Sequence, residues 1–350
     1  MTRIAVDAMG GDNAPYEIVA GAIWGAKDYN VGLELVGKPD EIQQVLDDIK
    51  ENGFRSDCGR AGHLHKIEVD YTKLDIKITP ASEVIEMGEA PGAAIRRKKD
   101  SSIVKTVEAV ATGSSDALVA AGSTGAAMAS SLFGLGRLPG IIRPAIAATM
   151  PTMNKPLVLI DAGANSNSTP EMLHQFAVMG AIFSKDVIGV ENPRVGVLNI
   201  GEEAGKGNEL AKNTFNLLEE CKDRINFVGN VEGKELFSNI CDVVVCDGFV
   251  GNVALKVTEG TGAVLFKMIK HEFKSDFIGM ILGWLAKPFF RRIYARTNYE
   301  EFGGALLLGV KGITVISHGR SKAYAIKNAV RVANEAVAKG MNAKITGFYE

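Results

Sequence analysis

Residues 4–15 read IAVDAMGGDNAP. An apolar run, Arg3–Val6, passes directly into Asp7, Gly10, Gly11, Asp12 and Asn13. An ordinary turn needs one glycine; adjacent glycines permit positive φ and close backbone approach. Polar residues just past the carboxyl end of a strand lie where open α/β sheets bind ligands. The same residues also suit a plain strand-to-helix connection, with Asp12 or Asn13 capping the helix.

The pattern recurs. Strands are expected at Arg3–Val6, Gly32–Val36, Ala117–Ala121, Leu157–Asp161, Val195–Ile200, Ile225–Val228, Asp242–Cys246 and Ile313–Ser317. These runs are almost continuously apolar, as strands buried on both faces are. Helical faces alternate with them: Ile103, Val107, Val110 and Ala111 on one, Ala323, Ile326, Val330 and Val337 on another. Strand–helix alternation implies α/β class, a mostly parallel sheet covered by helices. Lys50–His65 reads as an irregular surface excursion, and no repeat or low-complexity tract is present. Six strands end alike, in DAMGGDNAP, GSTGAAMASS, DAGANSNSTPE, GEEAGKGNEL, CDGFVGNVALK and SHGRS. Backbone nests and helix N-termini bind anions, so six such junctions point to a phosphate-friendly crevice.

Bulk properties narrow the class. The 350 residues carry 39 Lys+Arg and 41 Asp+Glu, a net charge of −2 that gives no sign of nucleic-acid binding. The chain opens on a strand pattern rather than a leader, and no apolar run reaches the ~20 residues of a membrane span. Cys58, Cys221, Cys241 and Cys246 form no CxxC pair, which fits reduced thiols in a cytosol and argues against structural zinc.

P-loop, GxGxxG and GxSxG motifs are absent at the required positions. Gly122, Ser123, Thr124 and Gly125 form a nest; Ser123 reads as a cap or phosphate ligand before a nucleophile. Cys246 ends an apolar strand and reads as core before thiolate. Asp7, Asp12, Asp161, Glu202, Glu203 and Asp247 suit a divalent metal only if they converge. Lys206 is flanked by Gly205 and Gly207, ahead of Asn208 as a possible cap; it is either a dianion holder or a solvated loop lysine. Arg143 precedes Pro144, which fixes its backbone. His318 is a helix-start hydrogen-bonder or an acid/base group. Asn252 donates to an anion or caps a helix.

At these residues the chain resembles the PlsX family of acyl-[acyl carrier protein]:phosphate acyltransferases. The resemblance runs from VDAMGGD at Val6 to the final helix. It includes SEVIEMGEAPGAAIRRKKDSS from Ser82, PRVGVLNIGEEAGKGNEL from Pro193, FVGNVEG from Phe227, DVVVCDGFVGNVALK from Asp242 and GGALLLGVKG from Gly303. It implies one domain over residues 1–350, a three-layer α/β/α sandwich of the isocitrate/isopropylmalate dehydrogenase type, and a homodimer. It implies that inorganic phosphate attacks the thioester of acyl carrier protein at the start of phospholipid synthesis, without cofactor. On that basis Lys206 and the loops Gly122–Gly125 and Gly10–Asn13 hold phosphate, with Asp7, Arg143, Asp161, Asn165 and Asp247 around them. Asn252 and His318 orient or stabilise the carbonyl. This chain departs from the family pattern at Asn13, where His is frequent, at Ser123, where Asn is usual, and at Asn167 and Thr169, where Asp and a basic residue are usual. Asn13 cannot carry out acid/base work as His can.

An apolar segment protrudes from the pattern at about 260–298. Its tip, Phe277–Ala286, is uncharged and contains Trp284; Phe289, Phe290, Arg291, Arg292 and Arg296 follow. Apolar residues with flanking cations suit an interfacial anchor or an acidic carrier protein; a buried dimer-interface helix has the same composition. The resemblance implies peripheral membrane contact. Three rivals remain: a phosphotransacetylase-type enzyme using coenzyme A, a metal-dependent 2-hydroxyacid dehydrogenase, and a catalytically degenerate scaffold that binds the carrier.

Overall fold

The computed structural model describes residues 1–58 and 64–349. Its strands are β1 (Arg3–Asp7), β2 (Gly32–Gly37), β3 (Phe54–Ser56), β4 (His65–Ile67), β5 (Ile76–Pro80), β6 (Ala117–Ala120), β7 (Ala145–Met150), β8 (Leu157–Ile160), β9 (Val195–Asn199), β10 (Phe227–Glu232), β11 (Val243–Val245), β12 (Ala305–Leu308) and β13 (Ile313–Ile316). Its helices are α1 (Tyr16–Tyr29), α2 (Pro39–Asn52), α3 (Pro91–Arg97), α4 (Ser102–Ala111), α5 (Thr124–Gly134), α6 (Pro170–Phe183), α7 (Glu209–Glu220), α8 (Gly248–Glu272), α9 (Phe277–Thr297), α10 (Ala323–Ala338) and α11 (Met341–Tyr349).

Eleven strands form one sheet in the order β10-β9-β11-β8-β7-β12-β13-β6-β1-β2-β5. The outer strands are parallel to their neighbours within each half, and β2, β6, β8 and β11 are buried throughout, which explains their unbroken apolar sequences. Antiparallel pairing is confined to the middle: β7 with β8 and β12, and β12 with β13. The two halves therefore run in opposite directions. The register Val6–Val119–Val315–Leu306–Ala147–Ile160 crosses six strands at one level. The carboxyl ends of β1, β6 and β13 and that of β8 thus stop near a common line from opposite sides.

Helices α1, α2, α6, α10 and α11 cover one face of the sheet and share its largest apolar cluster. On the other face α3, α4 and α5 share a cluster with Ala162, Ala164, Ala305, Ile316 and Leu255 of α8. The result is the expected three-layer α/β/α arrangement.

The structure amends three sequence expectations. β5, β7 and β12 belong to the main sheet although their sequences did not announce them. Lys50–His65 is not wholly irregular: α2 runs to Asn52, and β3 pairs with β4 as a small antiparallel sheet. The remainder of that stretch, 59–63, lies outside the described residues. The apolar segment at about 260–298 is not one helix: it is divided between α8, which starts at Gly248, and α9. α8 is interrupted before the tip. It ends at Glu272, and Asp276 starts α9 by accepting the Gly279 N–H at 2.6 Å. The α8 helix is about 37 Å long at 1.5 Å per residue. None of residues 252–297 is buried, and Trp284 is 73% exposed. Among the described residues no helix is long and apolar enough to cross a membrane.

Candidate functional site

The first group of loops gathers at the ends of β1, β6 and β13. Asp7 closes β1 and is buried. Burial pushes its carboxyl up to about 6, against hydrogen bonds from the Ser102 hydroxyl and the N–H groups of Met9 and Gly10. Gly11 has φ +112°, and a Cβ there would stand 2.9 Å from the Ala121 carbonyl and 3.1 Å from that of Gly319. Only glycine lets these three loops touch. The Asp12 N–H donates to the Gly319 carbonyl at 2.8 Å. Asn13 Nδ2 donates to the carbonyls of Arg320 (3.1 Å) and Ser321 (3.2 Å). Neither side chain caps α1, whose N-cap is Pro15; the cap expectation fails because Asn13 is committed to the third loop.

Gly10 lies against Gly122, and Gly125 against Pro91 of α3. Ser123 accepts the Ala126 N–H at 3.4 Å and caps α5, so its oxygen serves the helix start. Thr124 is exposed at the first helical position. His318 is exposed and accepts the Arg320 N–H at Nδ1, 3.1 Å away. In a neutral ring the proton then sits on Nε2.

The second group follows β8 and β11. Asp161 is fully buried and accepts five hydrogen bonds. The donors are the N–H groups of Ile146, Gly163, Ala164 and Asn165 and the Asn165 side chain, at 2.7–3.1 Å. Burial pushes this carboxyl above its ordinary range, and the donors oppose that shift. Asn165 Nδ2 also reaches the Pro144 carbonyl at 2.8 Å, next to exposed Arg143. The start of α8 seats directly on this loop: a Cβ on Gly251 would lie 1.9 Å from the Asp161 carbonyl oxygen. Asp247 caps α8, accepting the N–H groups of Phe249 and Val250 at 2.9 Å each. Asn252 therefore is not the cap; it lies against Gly163.

Lys206 lies beside this second group. It is exposed and, among the described residues, has no ion-pair partner. Its loop is ordered from within. The Lys206 N–H donates to the Glu203 carbonyl (3.0 Å), Asn199 Nδ2 donates to the Lys206 carbonyl (3.1 Å), and Asn208 caps α7 by accepting the Ala211 N–H (2.9 Å). A cavity of about 310 Å³ separates this loop from the start of α8.

The structure thus brings together Asp7, Gly10–Asn13, Gly122–Gly125 and His318. Separately it brings together Asp161, Asn165, Asp247 and Asn252, flanked by Arg143 and Lys206. The apolar cluster under α5 and α8 joins the two sets. The six acids weighed as metal ligands are divided between these regions, and Glu202 instead groups with Glu232 and Glu235. Lys234 pairs with Glu232 there. Burial pushes the Cys246 thiol well above its ordinary range, so it is a core residue. Sequence reasoning missed Ser102, which holds Asp7, and Glu17, whose Oε2 accepts the Ala323 N–H at 2.7 Å and starts α10 from across the layer. Both act through contacts distant in sequence and carry no local signal.

Known proteins resemble this chain over nearly its whole length. The family described as Fatty acid synthesis protein matches residues 2–57 and 59–344. The Phosphate acyltransferase of Halothermothrix orenii is 49% identical over 339 residues, covering 97% of this chain and 96% of that one. The Phosphate acyltransferase of Heliobacterium modesticaldum is 49% identical over 343 residues, covering 98% and 96%. A phosphotransacetylase from Streptococcus pyogenes superposes with TM-score 0.61 at 14% identity, covering 96% of this chain and 94% of that one, which is a likeness of fold alone. The full-length match establishes that this chain is an acyltransferase belonging to the PlsX-type phosphate acyltransferase family.

Proposed function

We propose that the chain transfers an acyl group from an acyl-[acyl carrier protein] thioester to inorganic phosphate, giving acyl phosphate and free carrier for glycerophospholipid synthesis. The observation that carries this reading is the site's chemistry. Ser123 is spent as a helix cap, Cys246 is buried as a thiol, and loops rich in glycine and N–H donors surround the space instead. A phosphate oxygen attacks the thioester carbon, a C–O bond forms, and the C–S bond breaks. The departing thiolate takes a proton. Such a reaction needs a held dianion and preorganised donors toward the oxyanion, and positioning supplies most of the rate.

In this reading Lys206 and the loops Gly10–Asn13 and Gly122–Gly125 hold phosphate, and Arg143 adds positive charge. Asn252 and His318 orient the carbonyl. Asp7 and Asp161 shape their loops by accepting N–H groups. Asp247, spent on capping α8, positions Asn252 one turn on. The exposed α8–α9 hairpin, with Phe277 and Trp284 at its tip, makes the peripheral membrane contact of a homodimer in the cytosol. The test is carrier-thiol release with and without phosphate, from acyl-carrier and acyl-coenzyme A thioesters in parallel. Phosphate-dependent release from the carrier thioester is expected. Phosphate-dependent release from coenzyme A alone would transfer the reading to a phosphotransacetylase-type enzyme. Phosphate-independent release would overturn both.

A further inference from the structure

The cavity beside the Lys206 loop differs in character from the loops around it. Its walls are Leu173 of α6, Leu198 of β9, Leu210 of α7 and Val250 of α8, with Cys246 between them. The polar residues at its rim are engaged elsewhere. Asn208 caps α7, Asp247 caps α8, and Asn199 spans its own loop. An occupant therefore meets apolar surface and few free hydrogen-bonding groups.

The mouth is apolar as well. Ile200, which follows β9, is 80% exposed, and Val250, in the first turn of α8, is 41% exposed; both line the cavity. Protein interiors close such spaces by packing, and exposed apolar residues around one mark a place for a partner. Lys206 adjoins this mouth: its Cγ lies 3.0 Å from where a Cβ on Gly201 would stand, next to Ile200.

We propose that this cavity receives the hydrocarbon chain of the acyl thioester, that Ile200 covers it, and that its walls set the chain length accepted. The proposal rests on the acyl-transfer reading above. A chain lodged here leaves its carbonyl at the rim, on the side where Lys206 is assigned to phosphate. Continuity with that loop and the apolar lining favour an acyl chain over a polar ligand. Burying one methylene is worth about fourfold in affinity, so a wall that stops a chain several carbons early discriminates strongly.

The test compares octanoyl and palmitoyl carrier thioesters in the full-length protein and in Leu210→Phe and Val250→Phe. The expected result is a loss of at least about 30-fold in kcat/KM for palmitoyl with less than about threefold for octanoyl. Leu198→Ala should shift preference the other way. Should the Phe variants lose their thermal transition, Val250→Ala supplies the comparison. An equal fall for both chain lengths in folded variants would overturn the proposal. So would an altered oligomeric state by light scattering with chain preference intact, which would give the mouth to a second copy. If the unaltered protein turns over neither thioester with phosphate, the acyl-transfer reading fails and the proposal falls with it.

Discussion

Asp7→Asn should make the protein more stable and less active. Asp7 is 3% exposed, and its carboxyl is raised from 3.8 to about 6, chiefly by burial. The native state therefore binds more protons than the unfolded state between about pH 4 and pH 6. Stability falls as pH rises through that window and levels off above it. Two units at 1.36 kcal/mol each give about 3 kcal/mol of destabilisation at neutral pH. Asparagine keeps an acceptor for the Met9 N–H but turns an amide toward the Gly10 N–H, at a cost of about 1 kcal/mol. The net expectation is a gain of about 2 kcal/mol at pH 7.5 and loss of the slope between pH 4 and 6. Activity should fall, because the side chain no longer accepts the Gly10 N–H and so no longer fixes the glycine loop that lies against Gly122. Urea denaturation at pH 4, 5, 6 and 7.5, with turnover measured beside it, tests both halves. A variant less stable than the parent at pH 7.5, with the pH slope retained, would refute the reasoning.

Glu34 should behave in the opposite sense. Burial raises its carboxyl, but Lys77, Ser114, Thr79 and Ser115 together outweigh that and bring it to about 2. Its contribution is present above pH 4.5 and lost as pH falls toward 2, so Glu34→Gln should lower stability by about 3 kcal/mol at pH 7 and flatten the acid limb of the urea-midpoint profile. Gly251→Ala forces a methyl into the Asp161 carbonyl and should cost about 3 kcal/mol, read by thermal melting, together with most of the activity. Lys206→Ala should leave folding within about 0.5 kcal/mol of the parent and raise the KM for phosphate at least about tenfold; near-normal kinetics would remove Lys206 from the site. Phe277→Ser with Trp284→Ser should abolish flotation with anionic vesicles while light scattering still shows a dimer; a lost dimer would make the tip a subunit interface.

The parallel strands were legible because burial on both faces writes itself as β-branched apolar runs, as in VVV at Val243–Val245. The antiparallel joiners were not. AIAATM at Ala145–Met150 and ALLL at Ala305–Leu308 are rich in helix formers, and tertiary pairing overrode that preference. β10 begins two residues later than expected, at Phe227, and its register shifts between Phe227 and Gly229. The site shows the same division. Its glycine loops could be read one by one, because each breaks an apolar run with residues that suit positive φ or capping. Their partition into two sets could not, because it follows from the reversal of direction at β7 and β12. The identity of the helix caps was partly readable. Ser123 and Asn208 cap the helices they precede, whereas Glu17 caps α10 from another helix altogether.

The central claim is that phosphate, and no side chain, attacks the thioester. It is tested most directly by following inorganic phosphate and acyl-carrier thioester with phosphorus NMR during turnover, with mass spectrometry of the intact protein at intervals. The expected result is one acyl phosphate formed for each carrier thiol released, and a polypeptide whose mass never rises. A protein that gains the mass of an acyl group, or releases thiol and free fatty acid with no acyl phosphate, would contradict it.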